Sequence, residues 1–542
     1  MTSSDSTSGL SGTQAGPPDV AYPRWFWPCF VAGLVACALP FVLAPILPMC
    51  DINGHAGMVG ALLQRDHPGS RVDEYFAFNV HASPNAFYWG LVLALGKLLP
   101  MRVASNLFVI VFCVVGPPLC YLFALRMLGR PPALVFLALA AVFHRSLWFG
   151  FIDSVAADGF LFLEIGFLER AFTRREWSWW DAGLAGTLLL IALAHAFMFL
   201  VAVGLWLLFA LLAWRQQSPA YRRFGVGLPA LAYLLPWFLS TFGSGGGHGG
   251  NHGGPGLIAQ LWRQREPART YLANVHQWFL NGYTSAVDEV VAIVFAVTLV
   301  AALIAGARAP ARPVAPAPAS DPDRLWASRF PLAAGFLAAG YLLLPMSIRQ
   351  PFGWWAANVR LLVPFLLMLG LLVPLRPRGL PAWAFAPLGV AATLYGLYIA
   401  QDFRRWWVGV ELRGFDEAIH FIPVGQRVHA IYPVFEQERH YSHFPMGHIV
   451  DWYVIDRGGT ATPWITSHPN EVWTPPRPRP SSPWAVHTGF VWTRYAPYWD
   501  YFLVKQPAPG NGAAYVPFPD APPGAVTRVF ESGLWSVWKR TN

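Results

Sequence analysis

The stretch WFWPCFVAGLVACALPFVLAPILP, residues 25–48, runs directly into MCDINGH, residues 49–55. An apolar run of that length at helical rise crosses the roughly 30 Å of bilayer hydrocarbon, so the first stretch reads as a membrane helix. Asp51 then marks the point where the chain emerges into water. His55 follows at i+4, and the two side chains share one face if the segment turns helical there. A carboxylate and an imidazole at a helix exit are placed for chemistry on a substrate held at the bilayer surface.

The rest of the composition fits that opening. Of 542 residues, 55% are hydrophobic and only 12% charged, which excludes a soluble globular protein and indicates an α-helical polytopic membrane protein. The formal net charge of +9 resides in arginines of short loops between apolar runs, a pattern that orients membrane segments and does not call for nucleic acid. Residues 1–23 are rich in Ser, Thr, Gly and Pro and lack a basic n-region, so they read as a disordered cytoplasmic tail ahead of an uncleaved anchor. Cys29, Cys37, Cys113 and Cys120 lie inside apolar segments and Cys50 at a helix end, a distribution that suggests neither a disulfide framework nor a zinc site.

Candidate spans fall near 25–48, 103–125, 131–149, 152–169, 182–196, 197–214, 224–242, 287–307, 330–348, 357–375 and 381–400, about eleven crossings. With the N-terminus in the cytoplasm, every inside turn is basic, from Arg126 and Arg130 to Arg376 and Arg378, as positive-inside orientation requires. The run 182–214 is too long for one helix, and a tight re-entry at His195 keeps the later arginines inside. Residues 83–100 read as an amphipathic helix lying in the interface. The transmembrane part, 24–400, then carries a first outside loop at 49–102, a Gly/His-rich outside loop at 243–286 and a cytoplasmic Ala/Pro linker at 308–329. Residues 401–542 lack a spanning run and form a small α/β domain outside the cytoplasm, with strands expected near 427–432, 501–504, 526–530 and 534–538. Its tryptophans, Trp452, Trp464, Trp473, Trp492 and Trp499 among them, belong either to a core or interface or to a sugar-stacking surface.

Charged groups at a membrane surface are costly and tend to be functional. Asp51 is either a general base that takes the proton of an attacking hydroxyl or the N-cap of the next helix. With His55 it is placed to share a proton or a divalent metal ion, and Asp73 or Glu74 would be the further ligand or second acid. A departing lipid phosphate needs cations; Arg360, Arg349, Lys97 and Arg102 are the candidates. Arg360 lies inside an apolar run, where it either meets such an anion or pairs with Asp153 or Asp158. His195 is either a substrate contact or a satisfied polar residue between helices, and Glu164 serves helix packing.

Several strings resemble the GT-C superfamily of integral membrane glycosyltransferases. Asp51 follows the first span, and Ser83-Pro84-Asn85-Ala86-Phe87-Tyr88-Trp89, leading through Leu99-Pro100 to Leu125-Arg126-Met127-Leu128-Gly129-Arg130, is similar to the juxtamembrane helix, second span and basic turn of the mannosyltransferase and aminoarabinose-transferase branch. Asp51-Ile52-Asn53-Gly54-His55, His195, Arg360, His448, Tyr453 and Arg457-Gly458-Gly459 resemble positions in related bacterial multi-spanning proteins. The resemblance implies a polyprenyl phosphate sugar donor, a glycan, lipid or protein acceptor, membrane lipids as surroundings and an inner-membrane location. It implies Asp51 as the base, Arg360 as a phosphate ligand, and His448, Tyr453 and Arg457 as substrate contacts from the outer domain. The spacing to a second acid departs from the aminoarabinose-transferase pattern, which leaves Asp73 and Glu74 in competition. The alternative is a non-enzymatic component, or a flippase, of a cell-envelope assembly system.

Overall fold

The structure, a computed structural model, describes residues 22–78, 85–173, 176–214, 220–243, 266–283, 286–308, 326–348, 354–374, 381–432, 440–462, 473–474, 490–507 and 515–541. Almost all of the expected tail, Arg349, Trp464, the loop histidines His248 and His252 and most of the linker 308–329 lie outside these residues.

Each expected span returns as a helical segment. In chain order the helices are α1 (Phe26–Leu43), α2 (Ile52–Gln64), α3 (Ala86–Gly96), α4 (Met101–Met127), α5 (Val135–Ala140), α6 (Ile152–Phe172), α7 (Trp179–Ala194), α8 (Ala196–Trp214), α9 (Leu228–Gly243), α10 (Val287–Ala307), α11 (Arg329–Leu343), α12 (Val359–Leu371) and α13 (Ala382–Glu411). Helices α1, α4, α8, α10 and α13 are long and apolar enough to cross a membrane on their own. The chain is a polytopic membrane protein with a small C-terminal domain. The break at 182–214 falls at His195, the single extended residue between α7 and α8.

Three expectations need correction. Residues 131–149 do not form one helix: α5 ends at Ala140, a turn follows, and residues 131–143 are buried throughout. Surrounding helices shield the interrupted backbone, the condition under which a broken span is tolerated at membrane depth. Helix α3 has no polar face. Its eleven residues, AFYWGLVLALG, bury only Tyr88 and Val92, and at roughly 1.5 Å per residue it is too short to span. The 401 boundary shifts as well, because α13 continues in π-helical turns through Glu411 before the chain enters the domain.

Helix contacts follow from small residues. A Cβ on Gly396 would meet the Ala36 backbone at 2.7 Å, so α13 lies directly on α1; Gly159 of α6 similarly abuts Pro117 of α4. Such close approach gives the packing and dispersion that hold helices together where lipid removes the hydrophobic drive. Glu164 on α6 is fully buried, and neither carboxylate oxygen has a bonded partner among the described residues.

The domain contains helix α14 (Asp451–Arg457) and strands β1 (Arg427–Ile431), β2 (Thr460–Thr462), β3 (Tyr501–Lys505), β4 (Val526–Ser532) and β5 (Trp535–Arg540), in the sheet order β2-β1-β3-β5-β4. The pairs β1–β2 and β1–β3 are parallel, the others antiparallel. Four strands of this sheet match the expected runs, and its β2 was not expected from sequence patterning. Trp452, Trp492 and Trp499 are buried, so they build cores and offer no stacking surface.

The domain is clamped to the bundle. Arg102 donates to Asp416 at 2.6 and 2.8 Å and to Asp456 at 3.4 Å while lying over the Trp452 ring. Buried Lys505 pairs with buried Glu411 at the end of α13, and His443 donates to the Pro48 carbonyl at 2.6 Å. The tightest joint is α2 against α14: a Cβ on Gly57 would lie 2.7 Å from Asp451 Cβ, and one on Gly60 would lie 3.0 Å from Ile455 Cβ. Gly60→Val should therefore destabilise the protein by about 1–3 kcal/mol through overpacking. Thermal unfolding in lipid nanodiscs checks this, and an unchanged midpoint would show that the two helices do not pack this tightly.

Candidate functional site

Asp51 is positioned by backbone geometry. Its N–H donates to the Phe149 carbonyl at 3.1 Å and that of Cys50 to Trp148 at 3.3 Å, so the turn before α6 carries the residue that opens α2. That turn needs Gly150, which has φ +78° and would drive a Cβ to 2.8 Å from the amides of Asp51 and Ile52. Asp51 occupies the N-cap position, yet its carboxylate makes no capping hydrogen bond. The capping role weighed from the sequence is therefore not the one the side chain performs. Its side chain is 25% exposed. Burial raises its pKa from 3.8 to about 6, against the lowering effects of Cys50 and Arg360. That value suits a base working near neutral pH.

The remaining members converge from five other places. His55 lies one turn along α2, as its spacing predicts, with its amide donating to the Asp51 carbonyl at 3.0 Å. Burial lowers its pKa to about 4, with His448 and Arg360 acting in the same direction, so the ring is neutral at pH 7. Its Nδ1 is buried without a hydrogen-bond partner among the described residues, and the ring packs edge-on to Tyr88. Arg360, in the first turn of α12, donates to His195 Nε2 at 2.7 Å and to the Trp355 carbonyl at 3.1 Å, and its guanidinium lies 4.0 Å above the Phe151 ring. Arg360 sits in the field of Asp51, Asp158 and Asp153. Asp153 and Asp158 are buried on α6; Asp153 Oδ1 accepts the Tyr88 amide at 3.3 Å, while Asp153 Oδ2 and Asp158 Oδ1 have no bonded partner among the described residues. Buried polar atoms in that state are candidates for a ligand or water. From the domain, fully buried His448 places Nε2 3.9 Å from Asp51 Oδ1.

The other candidates fall elsewhere. Asp73 pairs with Arg65 at 2.9 Å and Glu74 with Arg71 at 2.6 Å, both half-exposed and away from Asp51; exposed pairs of this kind contribute little. Asp153 and Asp158, which sequence reading weighed only as partners for Arg360, act together with Asp51 on that guanidinium. Arg102 is held in the interdomain clamp described above, and Lys97 is exposed at the end of α3. Tyr453 is buried: its hydroxyl donates to the Pro423 carbonyl and accepts the Gln426 amide. Arg457 Nε donates to the Ile422 carbonyl, and Gly458 (φ +61°) ends α14. Both side chains brace the domain internally through these bonds. Asn53 is a brace too: its amide donates to the Leu47 and Met49 carbonyls and accepts from Trp452 Nε1. Among the described residues no three His, Cys, Asp or Glu side chains are grouped to hold a metal ion.

Comparisons with known proteins bear on the fold. No family model matches the chain, and no curated protein matches it in sequence. Among solved structures, the crystal structure of ArnT from Cupriavidus metallidurans in the apo state matches over 95% of this chain and 97% of that one, with a TM-score of 0.51 and 11% sequence identity. Nearly the whole chain thus shares the fold of ArnT.

With Asp51 raised to about 6, its carboxyl is protonated below that pH and ionised above it. Carboxyl 13C NMR on Asp-labelled protein, assigned with Asp51→Asn, should show its midpoint near 6. A midpoint near 4 would mean that the carboxylate is solvated.

Proposed function

We propose that this chain is a GT-C-type glycosyltransferase of the inner membrane that moves a sugar from a polyprenyl phosphate donor to a hydroxyl acceptor outside the cytoplasm. The observation that carries the reading is the convergence of a carboxylate with a raised pKa, Asp51, and a guanidinium, Arg360, at the end of the bundle that bears the C-terminal domain. In this reading α1 starts from the cytoplasmic side, the domain lies outside the cytoplasm, and the donor's lipid chain stays in the bilayer.

The chemistry follows from the residues. The acceptor hydroxyl gives its proton to Asp51 as its oxygen attacks the anomeric carbon, and the bond from that carbon to the phosphate oxygen breaks. The lipid phosphate leaves with the electron pair. Arg360 then faces the developing charge, with His195 Nε2 accepting from its guanidinium and Phe151 beneath it fixing its direction. A preoriented charge in a site of low dielectric is worth more than the same charge in water. Asp153 and Asp158, also in the field of Arg360, would hold the guanidinium between turnovers and hydrogen-bond sugar hydroxyls when donor is bound. The ArnT-like fold supports the reading at the level of architecture.

The test uses full-length protein in native-like lipid with a panel of labelled polyprenyl phosphate sugars. Asp51→Asn should lower turnover by on the order of 10²–10⁴-fold, the usual worth of a general base, with donor binding retained. Arg360→Ala should weaken donor binding roughly 10–100-fold, the loss of one or two charge-assisted bonds. Donor binding without turnover in wild type and variants alike would replace the transferase with a flippase or an assembly component.

A further inference from the structure

The site contains an acid–imidazole–acid line that the proposed transfer does not use. His448 is fully buried between Asp51 and Asp451: its Nε2 is 3.9 Å from Asp51 Oδ1, and its Nδ1 is 3.9 Å from Asp451 Oδ2. Asp451, the first residue of α14, is fully buried as well. Space for it exists only because α2 carries Gly57 at the facing position, where any Cβ would strike Asp451 Cβ at 2.7 Å. The loop carrying His448 is held by Tyr432, whose hydroxyl donates to the Gly447 carbonyl, and by the Asp451 amide, which donates to the His448 carbonyl.

Packing alone does not account for this arrangement. Burying ionisable groups is costly, and apolar side chains of similar volume would join α2 to α14 at least as well. The two imidazole nitrogens of His448 thus face two carboxylates, Asp51 at the start of α2 and Asp451 at the start of α14. A base that accepts a proton in each turnover must also release it, and it accepts the next more readily if that proton has a path out.

We propose that His448 and Asp451 form a proton relay behind Asp51, so that the C-terminal domain supplies a working part of the active site. The inference rests on the transferase reading for the source of the proton. Asp51 takes the proton as the acceptor's O–H bond breaks, then passes it from its carboxyl to His448 Nε2, regenerating the carboxylate. His448 becomes an imidazolium whose Nδ1–H faces the Asp451 carboxylate, and the charge introduced is balanced there until the proton leaves to water. The 3.9 Å separations shorten by side-chain rotation, since catalytic hydrogen bonds are often long before substrate draws the groups together. Asp451 is thus a positioning residue, holding the imidazole in the tautomer that leaves Nε2 able to accept. The titratable groups around His448 are Asp51 and Cys50 on the segment after α1, His55 on α2, Asp451 on α14 and Tyr432 after β1, with Arg360 acting through Asp51 and His55.

The experiment compares wild type, His448→Gln and Asp451→Asn, each full-length in nanodiscs with its thermal unfolding midpoint recorded. The carboxyl 13C signal of Asp51 is followed against pH, and turnover is followed with the donor panel. In wild type the Asp51 signal should titrate in two steps, coupled to the His448 ring; in His448→Gln it should titrate in one. Turnover number should fall on the order of 100-fold in His448→Gln with KM within about twofold, and added imidazole should restore part of it in His448→Ala. Should His448→Gln fail to fold, the same readouts in Asp451→Asn decide. An Asp51 titration identical in the wild type and a folded variant, or an unchanged turnover number, overturns the relay while leaving the transferase standing. Coupled titration without turnover on any donor keeps the proton line and sinks the transferase.

Discussion

The contact between α2 and α14 is the constraint on which the candidate site depends. One helix begins at the base and the other belongs to a domain nearly four hundred residues later, and Gly57 and Gly60 let their backbones come close enough to bury Asp451 and Ile455 between them. Because α2 is thirteen residues long, it has little stability of its own and takes its position from what it touches. Asn53 joins the end of α1, α2 and Trp452 of α14 through three hydrogen bonds. The direction of the Asp51 carboxylate is therefore set jointly by the membrane bundle and the domain.

The electrostatics of the site follow from the same packing. His448 of the domain and the turn at Gly150 of the bundle both lie against the Asp51 segment, and burial outweighs both the Cys50 hydrogen bond and the pull of Arg360. A solvated carboxylate at a helix N-terminus would be held low by the positive end of the helix dipole; here desolvation wins by about two pKa units. Arg360 shows the complementary solution. It is held by an imidazole acceptor, a carbonyl and an aromatic face, and among the described residues no carboxylate forms an ion pair with it.

Much of the architecture was legible from the sequence because it rests on one-dimensional signals. Apolar runs, strand-like patterning and the i, i+4 spacing of Asp51 and His55 depend on local order along the chain, and they located the helices, the break at His195 and four strands of the five-stranded sheet. What stayed hidden depends on contacts between distant segments. Asp73 and Glu74 lie near Asp51 in sequence, but they pair with Arg65 and Arg71 at the surface; Asp153 and Asp158 lie far along the chain, yet they act with Asp51 on the same Arg360. Tyr453 and Arg457 carry the same functional groups in a brace as in a binding site, and only their partners, backbone groups near 422–426, tell the two apart. Asp451 gave no signal beyond lying three residues after His448.

The long sequence interval closed by α2 and α14 also bears on synthesis. A nascent chain makes α1 and Asp51 early, while His448 and Asp451 follow only after the whole bundle, since domains assemble in the order in which they emerge. Until then the carboxylate has open water where the domain will stand and ionises like any surface acid. A protein truncated before residue 448 would retain every bundle helix and still present a solvated base. The environment of Asp51 thus belongs to the pair α2–α14 and not to the bundle alone.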